Sequence, residues 1–248
     1  MNSTKAVFKK QLKDLRSNAE VLVQFIIFPV VAFAMTQLIV RGDSEVVDLA
    51  AAGLNDNMFI TMMAAMFVGM ALIPFVAGIV AEDREKKSLR FMVMAGVKPP
   101  AYLLGVGGVI LFASLFPSLA FVIIGRFMGA EFWIFIALLM SGAVASTILG
   151  LTIGMLSKNQ QAATGLAMPL ALILGFGPMV AQFNEPIGRF LGFLYTQQLN
   201  VVMDSFYSVS GYQPEARMLW GSFGVIWGNI AAMVVLFSIV FAKKGLKG

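Results

Sequence analysis

The charged side chains best placed to do chemistry gather in residues 82–90, which read Glu-Asp-Arg-Glu-Lys-Lys-Ser-Leu-Arg. Acidic residues come first and basic residues later, an order that suits the macrodipole of a helix. Two stripes follow helical spacing, an apolar one of Leu89, Met92 and Val93 and a charged one of Asp83, Lys87 and Arg90. We therefore predict a short amphipathic helix over residues 82–95, ended by Gly96 and followed by a new helix that starts at Pro99 and Pro100.

This segment is too apolar for a loop that touches only water, because it contains Leu89, Phe91, Met92, Val93 and Met94. It indicates contact with a membrane or with a protein partner. A solvated connector is the alternative interpretation, since runs of charge usually face solvent.

Catalytic chemistry has little support elsewhere in the sequence. Cysteine and histidine are both absent from the 248 residues, which excludes disulfides and removes most metal sites and histidine-dependent nucleophiles. The phosphate-binding loop of ATPases, GxxxxGK followed by Ser or Thr, is also missing. We accordingly expect a chain that is not an enzyme and binds no cofactor itself.

The rest of the composition predicts an all-α integral membrane protein. Hydrophobic residues make up 59% of the chain and charged residues 12%, and a helix needs about 20 mostly apolar residues to cross a bilayer. Six stretches without an ionisable side chain predict spans at about 21–40, 58–81, 100–125, 132–156, 162–181 and 219–242. A seventh apolar stretch, residues 190–203, is too short to cross and predicts a re-entrant or interfacial segment.

The distribution of basic residues predicts the orientation. Fourteen of the 18 lysines and arginines fall on the side that holds both termini, and only Arg41, Arg126, Arg189 and Arg217 fall on the other. The positive-inside rule then places both termini in the cytoplasm of a multi-pass cell-membrane protein. Membrane orientation thus explains the basic balance, and no nucleic-acid partner is expected. Residues 21–242 form one membrane domain, followed by a cytoplasmic tail, 243–248.

Residues 1–20 predict an amphipathic helix in the cytoplasmic interface. Phe8, Leu12 and Leu15 recur at helical spacing, while lysines and Arg16 occupy other faces. Such a helix would place its apolar side in lipid and its lysines near anionic headgroups. A simple positive anchor for the first span is the alternative.

Small residues and helix breakers mark three spans. Span four has Gly142, Ser146, Gly150 and Gly154 at intervals of four, and span six has Gly224 and Gly228. Such ridges permit close helix contact, for which we favour packing within the chain over a dimer contact. Span five contains Gly165, Pro169, Gly175, Gly177 and Pro178, which predicts a kinked or discontinuous helix. A broken helix could line a transport pathway, and ordinary kinked packing is the alternative.

The spans themselves contain no aspartate, glutamate, lysine, arginine or histidine. Proton-coupled carriers usually place such groups inside the membrane, so a proton-driven antiporter is disfavoured. If the chain moves a cargo uphill, the energy must enter through another polypeptide.

The order of these elements resembles the permease subunits of type-2 ATP-binding-cassette (ABC) exporters. Residues 82–86, Leu89, the turn at 97–99 and residues 102–105 resemble the family's stretch after its second span. Lys87 and Ser88 stand where Gly-Thr is usual, and Val106 where lysine is common. The outer Glu185 and Pro186, followed by residues 189–191, resemble the family's Pro-containing outer segment, although residues 195–197 replace its later Asn-Pro.

The resemblance implies a dimer of two six-span permease subunits with two ABC ATPase subunits that bind ATP and Mg. The predicted loop helix would sit on the ATPase through Glu82, Asp83, Arg84, Glu85, Lys87, Leu89, Arg90, Met92 and Val93. The N-terminal helix, with Phe8, Leu12 and Leu15, would steady that contact at the membrane. Spans two and five would line the cargo path, which makes candidates of Thr61, Met62, Met66, Met168, Phe176 and Met179. Methionine and phenylalanine suit an apolar cargo, although in membrane helices they more often face lipid or neighbouring helices.

The expected function is therefore the permease subunit of an ATP-driven exporter of a lipophilic or amphiphilic cargo, such as a drug or a membrane-active peptide. The loop at 41–56 leaves no room for a large extracellular domain. The alternative is a non-transporting immunity or assembly protein that binds a peptide or partner in the bilayer, and it would not need the loop helix. A passive channel ranks last, because the spans carry no rings of charge.

Overall fold

The computed structural model describes residues 3–17, 19–40, 57–97, 99–205 and 216–244, and all regular structure within these ranges is helical. The predicted outer loop at 41–56 and residues 245–248 of the tail lie outside them. Helix α1 (Ser3–Ser17) precedes α2 (Ala19–Met35), which continues into a π-helical segment, Thr36–Val40.

The second span is one continuous helix with an irregular middle. It consists of α3 (Met58–Met66), a π-helical segment (Phe67–Ala71) and α4 (Leu72–Glu85). After a turn at Lys86 and Lys87 comes the short helix α5 (Ser88–Met94). The prediction of a single helix over 82–95 is therefore wrong. Lys87 adopts a φ of 57°, a left-handed conformation that ends one helix before the next begins.

The remaining chain forms three long helices, a short hairpin and a last long helix. These are α6 (Pro99–Gly125), α7 (Ala130–Leu156), α8 (Gln160–Phe183), α9 (Glu185–Leu191), α10 (Tyr195–Ser205) and α11 (Ala216–Lys244). Side-chain caps explain two of the starts, since Asn159 accepts a hydrogen bond from the Ala162 amide at 2.8 Å and Asn184 from the Ile187 amide at 3.2 Å.

The helices confirm an all-α membrane fold. Within the described ranges, five are long and apolar enough to cross a membrane: Met58–Glu85, Leu104–Gly125, Ala130–Leu156, Gln160–Phe183 and Ala216–Phe241. The first predicted span has a shorter apolar stretch, Val23–Leu38. That stretch lies inside the 17 residues of α2 and the 5 residues of its π-helical extension, which together reach roughly 33 Å.

The glycine ridge of α7 packs on the second span. A Cβ atom at Gly150 would lie 2.7 Å from Val76 Cβ, and one at Gly154 would lie 2.6 Å from Val80 Cβ. Only glycine therefore allows this approach, and the predicted packing within the chain is confirmed for span four. At Gly224 and Gly228 of α11, such a Cβ would have no atom of the described residues within 4 Å. The glycines of span six therefore do not pack against another described helix.

The glycines and prolines of span five do not break it. Helix α8 runs from Gln160 to Phe183 with Pro169 and Pro178 inside it, so the discontinuous alternative is wrong. The irregular backbone lies opposite, in the π-helical segment of span two. There a Cβ at Gly69 would lie 2.7 Å from the carbonyl carbon of Leu174 in α8, so small residues let the two backbones touch.

Helices α9 and α10 form a hairpin that folds back into the bundle. The Tyr195 side chain at the start of α10 is fully buried and its hydroxyl lies 2.8 Å from Ser146 Oγ, near the middle of α7. Ser146 also donates a hydrogen bond to the Val68 carbonyl at 2.6 Å. The short stretch predicted at 190–203 is thus divided between two helices, and α10 contributes most of its buried residues.

Candidate coupling site

The carboxylate of Asp83, in the last turn of α4, joins four helices. It is only 5% exposed and accepts hydrogen bonds from Lys10 Nζ at 2.5 Å, Gln11 Nε2 at 2.9 Å, Ser88 Oγ at 2.7 Å and Tyr102 Oη at 3.0 Å. A carboxylate can accept about four such bonds, and a charged partner makes them stronger. This Asp83 cluster (Lys10, Gln11, Asp83, Ser88 and Tyr102) therefore fastens α1, α5 and α6 to the end of the second span.

The two residues after Asp83 bind the next inter-span loop. The guanidinium of Arg84 donates to the Met155 carbonyl and, at 2.8 Å, to the Ser157 carbonyl at the end of α7. Glu85 accepts a hydrogen bond from the Gln160 amide, which opens α8, at 3.3 Å. The end of span two thus contacts both loops on its side of the membrane domain.

Helix α5 projects two large apolar side chains away from the bundle. Phe91 and Met94 are each 64% exposed, whereas Met92 is half-buried and packs on the core. The first turn of α5 is held by Ser88, which donates to the Asp83 carbonyl at 3.0 Å as well as to its carboxylate. A firmly anchored helix with an exposed aromatic ring is a suitable docking element for a protein partner.

The structure separates the predicted contact residues into groups. Asp83 and Arg84 bind within the chain, so the predicted direct contact of Asp83 with a partner does not fit its burial. Glu82, Glu85 and Lys87 are exposed or half-exposed, and a hydrogen bond from Lys86 to Glu82 raises the pKa of Lys86. The side chains of Leu89, Arg90 and Val93 lie outside the described part of the chain.

Residues outside the predicted apolar stripe pack α1 against the bundle. Val7 and Gln11 are its buried residues, and a Cβ at Gly105 of α6 would lie 2.6 Å from Val7 Cβ. Phe8, Leu12 and Leu15 are only half-buried, beside this contact. The apolar periodicity therefore located the helix, but it did not indicate Val7 and Gln11, which together with Lys10 attach α1 to α6 and to Asp83.

The cargo-path candidates fall into two environments. Thr61, Met62 and Met66 are buried in the second span, Met179 is half-buried in α8, and Met168 and Phe176 are exposed on α8. The two spans do face each other, through Gly69 and Leu174. In this conformation, however, only the exposed pair on α8 could meet a cargo without rearrangement.

Thr61 belongs to a second polar cluster, at the opposite end of span two from Asp83. It donates a hydrogen bond at 3.0 Å to Asp204 at the end of α10. Gln182 of α8 donates to Asp204 and to Asn200, both at 2.8 Å. Burial raises the pKa of Asp204, although the hydrogen bonds from Gln182 and Thr61 oppose that shift. This cluster ties the hairpin to spans two and five.

Sequence reasoning missed the roles of Lys10, Gln11, Ser88 and Tyr102, whereas Phe91 and Met94 belong to the apolar residues predicted to meet a membrane or a partner. One signal was available for two of them, because Ser88 and Tyr102 are polar residues in the first turns of the apolar helices α5 and α6. Among the described residues, no group of three acidic, histidine or cysteine side chains could hold a metal ion.

Fold and site together define a class: a multi-span, all-α membrane protein that carries, on one inter-span loop, an anchored short helix with exposed apolar side chains. The family model described as ABC-2 family transporter protein matches residues 43–242. The chain therefore belongs to this family, as a membrane permease component of an ABC transporter that works with ATPase subunits. No curated protein matches the sequence.

Proposed function

We propose that this chain is the permease subunit of an ATP-driven exporter, and that its ATPase partner docks on α5. The observation that carries the proposal is the exposure of Phe91 and Met94 on a helix whose first turn is bound to Asp83. Aromatic side chains presented on a rigid support commonly dominate a protein interface. ATP and Mg would bind to the partner, and both termini of this chain would lie in the cytoplasm of the cell.

The Asp83 cluster would couple a movement of the ATPase to the membrane domain. A displacement of α5 acts on Ser88, and through the shared carboxylate on α1, on α6 and on the end of span two. Arg84 passes the same displacement to the end of α7. Because these are charge-assisted or buried hydrogen bonds, the helices would move together rather than one at a time.

The exposed face of α8 supports a second permease subunit. Leu166, Met168, Ile173 and Phe176 are all large apolar residues with substantial exposure on this helix. A cargo path between two copies would then be lined by Met168 and Phe176, and beyond them by Met62, Met66 and Met179 of the packed spans. Such a lining suits a lipophilic or amphiphilic cargo.

Reconstitution tests the proposal. The tagged chain would be purified in mild detergent from its own host, and an ABC ATPase identified among the co-purifying proteins by mass spectrometry. The pair would be placed in proteoliposomes, and ATP-dependent movement of a lipophilic fluorescent cation and of an amphipathic peptide would be measured. An ATPase variant without its phosphate-binding lysine is the matched control. Movement by the permease alone, or no binding of any ABC ATPase, would contradict the proposal and favour a non-transporting membrane binder.

A further inference from the structure

An apolar groove lies between α1, α2 and α6. Its volume is about 710 Å³, inside the range of roughly 300–1,000 Å³ typical of ligand sites. Leu12 and Leu15 form its wall on α1, Phe33 its wall on α2, and Phe116 and Ala120 its wall on α6. These walls belong neither to the Asp83 cluster nor to α5.

One lining residue is charged. Arg16, in the last turn of α1, is that residue. It is exposed, and no carboxylate among the described side chains forms an ion pair with it. A guanidinium binds phosphate through two parallel hydrogen bonds, and the apolar walls beside it would exclude an ion that lacked a hydrocarbon part.

We propose that this groove binds an anionic phospholipid, with its phosphate on Arg16 and an acyl chain between Phe33 and Phe116. Charge complementarity selects the headgroup, because Arg16 is the charged residue of the lining and anionic lipids concentrate in the cytoplasmic leaflet. The proposed function enters only by placing α1 on that leaflet.

The position of the groove gives the lipid a structural consequence. It lies against the half-buried face of α1, and the neighbouring face of that helix supplies Lys10 and Gln11 to Asp83. A lipid in the groove would hold α1 against α2 and α6. It would thereby hold two donors of the Asp83 cluster in place.

Native mass spectrometry of the purified chain, without ATPase or nucleotide, tests the binding. Phosphatidylglycerol and phosphatidylcholine with identical acyl chains would be titrated in parallel. We expect phosphatidylglycerol to bind at least tenfold more tightly. The R16Q variant should lose most of that preference, and the A120F variant, which fills the groove from a partly exposed position, should weaken both lipids.

K9Q is the matched control, because it removes the same charge from α1 but does not line the groove. Equal losses in R16Q and K9Q would overturn the proposal, since they indicate general attraction to a basic helix. Equal affinity for the two lipids, or unchanged binding in A120F, would overturn it as well. A dimer that A120F dissolves without affecting lipid binding would assign the groove to a second copy instead. None of these outcomes depends on whether the chain transports a cargo.

Discussion

Lys10 and Asp83 are 73 positions apart in the sequence, yet Lys10 Nζ lies 2.5 Å from Asp83 Oδ1. The pair is asymmetric, because the lysine side chain is 40% exposed and the aspartate side chain only 7%. The aspartate is therefore the member whose loss leaves buried donors without partners. Gln11 and Tyr102 are both almost completely buried beside it.

Replacing Asp83 with Ala should destabilise the membrane domain. Gln11 and Tyr102 would lose a buried acceptor, and we expect a loss of about 3 kcal/mol in the free energy of unfolding. Reversible unfolding in mixed micelles would measure it. Asp14→Ala is the control, because Asp14 also lies near Lys10, at 3.7 Å, but is 56% exposed, and its loss should cost under about 0.5 kcal/mol. Similar losses in the two variants would contradict a special role for Asp83.

Substitution of the exposed residues of α5 should weaken ATPase binding while leaving the fold intact. Phe91→Glu places a charge where an apolar contact is expected, and we expect at least a tenfold weaker interaction, equivalent to about 1.4 kcal/mol. Met94→Glu should act in the same direction. Binding of the purified ATPase to immobilised permease would measure both.

Phe190→Glu is the control for that experiment. Phe190 is 73% exposed and lies on α9, in the connection between spans five and six. Span two contacts that connection through Thr61, at its opposite end from α5. ATPase binding that falls equally in Phe91→Glu and Phe190→Glu would show general damage, and unchanged binding in Phe91→Glu would remove α5 from the interface.

Hydropathy was sufficient to locate the helices, because the bilayer requires long uncharged stretches whatever their partners. It could not identify the exposed side of α5. The sequence pattern predicts that the stripe of Leu89, Met92 and Val93 continues the helix that contains Asp83, but the left-handed Lys87 interrupts that helix and changes its phase. Lys87 gives no sign of such a φ by its residue type, because a positive φ favours glycine.

The Asp83 cluster was beyond prediction for a different reason. Periodicity assigns a residue to a face of its helix, but it does not say which distant helix covers that face. The pattern predicts Asp83 on a charged stripe. Its partners are Gln11, from a helix that precedes span two, and Tyr102, from a helix that follows it. The packing of Gly150 and Gly154 was predictable because glycine at intervals of four has few other uses in a span.

Enlarging Gly154 should separate spans two and four. A Cβ there would lie 2.7 Å from the Ala77 carbonyl oxygen, so Gly154→Ala requires the backbones to move and should cost about 1–3 kcal/mol. The melting temperature of the purified protein would report the loss. Gly228→Ala is the control, since no described atom surrounds that position, and alanine in a helix interior should be neutral or stabilising by up to about 1 kcal/mol. Equal stability of the two variants would contradict the close contact between these spans.

The carboxyl of Asp204 should make stability fall as pH rises. Because burial raises its pKa in the folded protein, the folded state holds this proton to higher pH than the unfolded state, whose pKa is about 3.9. The melting temperature of the native chain minus that of Asp204→Asn should therefore decline from about pH 4 upward and level off above the folded pKa. Thr61→Val removes a hydrogen bond that lowers this pKa, so in that background the decline should extend to higher pH. The melting-temperature difference could instead be independent of pH, or its decline could end at lower pH in the Thr61→Val background. Either result would show that the Thr61–Asp204 contact does not control this proton.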